Sequence, residues 1–162
     1  MELQTMKPGL NPADMILLRG ALEYALKDAR TGRIVQQGRR ENTVVTVGRA
    51  WILNRIGSDD SHNIDRLYLG TGTTAPDTSQ TALANSFSSK AAGTISDAGT
   101  TANPPYYTFA ASWASSDTHD SSSAINEFGL FASSTMVGRV TTSSTINFGT
   151  SNTLAVTYTL SA

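Results

Sequence analysis

The stretch that decides the fold is Thr153-Leu-Ala-Val-Thr-Tyr-Thr-Leu-Ser161. Leu154, Val156, Tyr158 and Leu160 alternate with Thr153, Ala155, Thr157, Thr159 and Ser161. A period of two places the four large apolar residues on one face of a strand and the small or hydroxylated ones on the other. A second alternating run lies far upstream, where Leu18, Gly20, Leu22, Tyr24 and Leu26 interleave with Arg19, Ala21, Glu23, Ala25 and Lys27. Its residues also have good helical propensity. Asp28-Ala-Arg-Thr-Gly32 is a turn signal, however, and Arg33-Ile-Val-Gln-Gln37 follows as a return strand, so a hairpin is predicted.

The rest of the chain reads in the same way. Tyr107, Phe109, Ala111 and Trp113 form one face of another strand. Ala124 to Ala132 and Met136 to Thr141 form a hairpin joined by Ser133-Ser134-Thr135, and Asn42 to Val47 and Ile64 to Leu69 are extended. Gly48 to Ile56 reads as a short helix closed by Gly57. Gly70 to Ala84 is a loop that ends in a helical turn, and Ser86 to Pro105 holds a weak strand near Thr94–Ile95. About eight strands and one helix predict a mainly β fold of the β-sandwich or jelly-roll kind. One domain over residues 15–162 follows an extended arm, residues 1–14, which Pro8-Gly9 and Asn11-Pro12 keep from regular structure.

Composition narrows the function. Of 162 residues only 15% are charged, against a usual ~25%, whereas Ser and Thr together number 41. Residues 1–66 hold 10 of the 12 Lys and Arg and 8 of the 13 acids; residues 67–162 keep only Lys90 and Arg139 against five acids. The second part is made soluble by hydroxyls. Such a surface suits packing against neighbours, because a desolvated hydroxyl finds partners more easily than a desolvated charge; it equally suits an ordinary β domain whose Thr and Ser face water. The net charge of −1 argues against a nucleic-acid binder, no run approaches the ~20 apolar residues of a membrane span, and no Cys is present for disulfides or zinc thiolates. Residues 1–14 lack the apolar core of a signal peptide, so assembly in a cytoplasm is expected.

Chemistry is sparse. No serine sits in a G-x-S-x-G elbow, and the two histidines, His62 and His119, fall in loops. Asp59-Asp60-Ser61-His62 and Asp117-Thr118-His119-Asp120 carry oxygen and imidazole donors that would hold a structural cation if the loops met. Neither has an EF-hand or zincin spacing, and polar turns explain both more plainly. Gly70-Thr-Gly72 follows a strand but lacks the rest of a phosphate loop; a tight turn is the simpler use. Arg30, Arg33, Arg39, Arg40, Arg49 and Arg55 cluster in sequence without interleaved aromatics, which fits an acidic protein surface or solvation better than nucleic acid. Glu127, inside the apolar run Ile125 to Phe131, is expected on the solvent face or paired, with Arg139 on the hairpin partner as the candidate. Gly129 implies a bulge or a close backbone approach. No catalytic residue, metal ligand or cofactor is assigned, and the chain is expected not to be an enzyme.

Three segments together resemble a known pattern. Leu67-Tyr-Leu-Gly-Thr-Gly-Thr-Thr-Ala-Pro-Asp-Thr-Ser-Gln-Thr-Ala-Leu83, Ile125-Asn-Glu-Phe-Gly-Leu-Phe131 with Met136-Val-Gly-Arg-Val140, and Leu154-Ala-Val-Thr-Tyr-Thr-Leu160 resemble, in order and spacing, small β-sandwich virion proteins of tailed bacteriophages. Those include capsid decoration (cement) proteins and tail-fibre or collar-type proteins. The stretch Ser86–Pro105 departs from the pattern in lacking an arginine and a strong strand. The resemblance implies a homo-oligomer, a dimer or trimer, that binds the major capsid protein on the capsid exterior, without direct nucleic-acid or membrane contact. The alternative is a tail component: a baseplate, collar or fibre-adaptor protein. A carbohydrate-binding module with Trp113, Tyr106 and Tyr107 as a stacking face is a third class.

Overall fold

The computed structural model describes residues 17–57, 63–97, 105–117 and 124–162. The predicted arm, residues 1–14, lies outside them. The element order is β1 (Arg19–Asp28), β2 (Ile34–Val44), α1 (Thr46–Gly57), β3 (Arg66–Gly70), β4 (Ser86–Ala91), β5 (Gly93–Asp97), β6 (Tyr106–Trp113), β7 (Ala124–Ala132), β8 (Thr135–Asn147) and β9 (Asn152–Ser161). The mainly β class with one helix is as expected. The strands form one antiparallel sheet in the order β4-β3-β7-β8-β2-β1-β9-β6-β5. Its two halves join where Thr43 and Val44 of β2 pair with Arg139 and Gly138 of β8, and where Gln36 of β2 donates to Ser144 Oγ and Thr145 O of β8. The far ends also meet, since the Trp113 indole of β6 donates to Ser88 Oγ of β4 at 3.0 Å. The sheet is thus nearly closed around one core.

The alternating runs supply that core. Leu22, Leu26, Leu154, Tyr158 and Trp113 from one half face Leu67, Phe128, Leu130 and Val140 from the other, all at 2% exposure or less. The β1–β2 hairpin turns as its sequence predicts. Asp28 Oδ1 accepts from the amides of Arg30 (3.1 Å) and Thr31 (2.7 Å), and Gly32 takes φ +69°. In the β7–β8 hairpin, Ala132 pairs directly with Thr135, so two residues rather than three make the turn. Ser133 there has φ +55°, and its amide donates to Asp65 Oδ1 at 2.9 Å.

Three boundaries differ from expectation. The return strand and residues 42–44 merge into β2, while Thr46 and Val47 open α1. The amides of Val45 and Thr46 donate to Val137 O and Thr78 O, tertiary contacts that set the helix start. Residues 71–85 contain no helical turn; their hydrogen bonds go to a buried side chain described below. Ser86–Asp97 forms two edge strands, β4 and β5, in which little apolar alternation is needed.

Candidate functional site: a buried clasp and a charged cleft

Strand β7 is buried on both faces from Glu127 to Ala132. Phe128, Leu130 and Ala132 enter the main core, while Phe131 joins Met136, Val45 and Leu83 in a second cluster on the outer face. A register shift between Ile125 and Glu127 turns Ile125 inward and Glu127 outward, so the outer face carries the carboxylate. Register pairs Gly129 with Arg139 and Glu127 with Thr141, which makes Glu127 and Arg139 diagonal neighbours across the hairpin.

The two side chains are fully buried and paired. Arg139 Nε donates to Glu127 Oε2 at 2.8 Å, and Arg139 Nη2 lies 2.7 Å from the same oxygen. Three backbone amides complete the carboxylate: Asn85 (2.8 Å) and Gly72 (3.1 Å) donate to Oε1, and Ala84 (3.1 Å) donates to Oε2. Arg139 Nη1 donates to Gln80 Oε1 at 2.8 Å, and that oxygen also accepts from the Asp77 amide at 2.9 Å. Thr71 and Asn85 close the neck of the loop, through Thr71 N to Asn85 O (2.9 Å) and Asn85 Nδ2 to Thr71 Oγ1 (2.6 Å). Residues 71–85 are therefore a compact Ω-loop whose polar backbone is fastened to one ion pair.

Burial is the largest influence on the Glu127 carboxyl and pushes its pKa up. The donors from Asn85, Arg139 and Ala84, with the guanidinium charge, outweigh it and hold the carboxyl below the usual glutamate range. Every bond made here favours the ionised form. With four hydrogen bonds, a further ion-pair contact and no exposed face, this carboxylate is built to hold a loop.

The glycines of the loop entrance fit the same geometry. A Cβ on Gly72 would sit 2.5 Å from Glu127 Oε1 and 2.6 Å from the Ala84 methyl, and one on Gly70 would also strike Oε1. Neither takes a positive φ; among the described residues only Gly32, Gly149 and Ser133 do. The tight turn expected of Gly70 and Gly72 is thus corrected: they make room for a carboxylate. Gly129 is a close approach, with Phe131 Cε2 2.6 Å from where its Cβ would lie, and the register shifts of β7 fall elsewhere.

The remaining sequence candidates separate. Asp59, Asp60, His62, His119 and Asp120 lie outside the described residues. Asp117 accepts the Ala114 amide at 2.6 Å and pairs with Lys90. Among the described residues no three His, Asp or Glu side chains group as a metal site requires. Trp113 is fully buried, so it offers no stacking face; Tyr106 and Tyr107 are exposed. Of the six clustered arginines, Arg39, Arg40 and Arg49 meet at one cleft of about 780 Å³, joined there by Arg19, while Arg30 and Arg33 stay at the β1–β2 turn. Arg55 lies 5.5 Å from the ring centre of Trp51, beside a second, more apolar groove. Sequence reasoning found Glu127 and Arg139 but missed Gln80 and the three amides, whose bonds to Glu127 span 42 to 55 residues. No protein-family model, curated protein or solved structure matches the chain.

Proposed function

We propose that this protein is a structural component of a tailed-phage virion, a decoration protein that binds the outside of the capsid shell and stabilises it. The observation that supports the reading is where two of the resembling segments meet. The Leu67–Leu83 segment and the hairpin segment with Glu127 and Arg139 are joined by the clasp, so two of the three segments that carry the resemblance form one physical unit. That unit has a rigid holding role and no reacting group. A second feature in support is the hydroxyl-rich, charge-poor surface of residues 67–162, which is cheap to desolvate against a neighbour.

The mechanism is mass action. A homo-oligomer, dimer or trimer, that binds the assembled shell and not its free subunits stabilises the shell in proportion to its occupancy. Its partner is the major capsid protein, its place is the capsid exterior, and assembly takes place in the host cytoplasm. The test is cosedimentation of the purified chain with expanded, tail-free capsids of the parent phage. Saturable binding at a simple ratio to the major capsid protein is expected. Absence from shells together with presence in isolated tails would transfer the protein to the baseplate, collar or fibre-adaptor role, for which the same fold unit serves.

A further inference from the structure

We infer that the cleft of Arg19, Arg40 and Arg49, together with the apolar groove beside it, is a docking surface for an acidic protein segment that carries an apolar anchor. The two depressions adjoin each other, because Leu18 and Ser161 line both. The first, about 780 Å³, is lined by four arginines and one carboxylate, Glu41, a balance of +3. Arg39 at its rim is 3.3 Å from Glu23, but Arg19, Arg40 and Arg49 have no ion pair among the described residues. Guanidinium groups without an ion pair among the described residues complement carboxylates.

The second depression, about 640 Å³, is walled by Trp51 and Ile52 of α1, Ile64, and Tyr107, Phe109 and Leu160 of the sheet. Tyr107 is 48% exposed there. The groove accepts a large apolar side chain, and the cleft receives the acidic residues next to it, as a hot-spot pocket with a charged rim does. Single-stranded nucleic acid fits less well. No aromatic ring lines the cationic cleft, and in the groove Arg55 stacks on Trp51 while Phe109 is buried. The inference is independent of the virion reading and stands or falls without capsids.

The test uses the full chain and a fluorescein-labelled peptide with a Leu-Trp-Leu centre flanked on each side by four glutamates. Fluorescence anisotropy is expected to show saturable binding that weakens several-fold from low to high salt. It should weaken about tenfold or more in Arg40→Glu/Arg49→Glu and in Tyr107→Ala, with the β1–β9 amide resonances unmoved. Four results would overturn the inference: no saturation at millimolar peptide, equal binding of the same peptide with lysines for glutamates, binding unchanged in both variants, or tighter binding of an oligothymidylate. Cross-peaks in the free protein from the Trp51 indole to residues 1–16, or to a second copy, would also overturn it by giving the groove another occupant.

Discussion

The same residue type is used in opposite ways in the two halves of the molecule. In the β3–β7–β8 half, Arg139 is fully buried, paired with Glu127, and roofed by a loop whose amides share the carboxylate. Around β1, β2 and α1, Arg19, Arg40 and Arg49 line an open cleft with no ion pair among the described residues. A buried pair is strongly destabilising to break because the survivor is left charged and desolvated, whereas an exposed arginine contributes little to folding. The β3–β7–β8 half therefore depends on a buried charge for structure, and the β1–β2–α1 region carries arginines that its fold does not use in ion pairs among the described residues.

The most severe way to break this contrast is Glu127→Ala or Arg139→Ala. Each should lose about 3–5 kcal/mol in urea unfolding, with residues 71–85 becoming the first protease site. Replacing the pair together by apolar residues, Glu127→Leu/Arg139→Met, often rescues a buried ion pair. Here it should not, because the partly buried amide bonds of Gly72, Ala84 and Asn85 would lose their charged acceptor, at about 1–3 kcal/mol each. Full rescue by the double variant would show that the loop does not need the carboxylate. Gly72→Ala should cost about 1–3 kcal/mol by forcing a methyl against Glu127 and Ala84.

Acid sharpens the comparison further. The Glu127 pKa is depressed in the folded state, so its contribution is fully present above the unfolded value of about 4.3 and is lost as pH falls through the folded value. Asp28 and Asp77 are also depressed, by their hydrogen bonds with Thr31 and Ser79, so the informative quantity is a difference. Stability measured from pH 6 downward should fall less steeply in Glu127→Gln than in the parent chain; parallel curves would contradict the assignment. Smallest of all, Arg40→Gln/Arg49→Gln should change stability by no more than about 0.5 kcal/mol while weakening acidic-peptide binding.

What the sequence disclosed follows from the range of the interactions involved. Period-two alternation in β1, β6 and β9 is a local record of one buried face, and the Asp28–Gly32 turn is likewise local. The Glu127–Arg139 pair was accessible because a hairpin joins its partners 12 residues apart. The Ω-loop was not, because backbone amides have no side-chain signature; two glycines after a strand were the only trace, and they suit a turn equally well. Strand β4 escaped recognition and β5 was read only as a weak strand near Thr94–Ile95, because Ser, Ala and Gly at a sheet edge carry little apolar pattern. Arg19 was missed at the cleft because only the pairing of β1 with β2, Gly20 opposite Asn42, brings it there.

Glu127 fastens the 71–85 loop to the sheet. Native-state hydrogen exchange in the parent chain and in Glu127→Gln tests it residue by residue. The Gly72, Ala84 and Asn85 amides should lose about tenfold or more in protection in the variant, with the amides between β1 and β9 unchanged. Undiminished protection at those three amides, or an equal loss throughout the sheet, would contradict it.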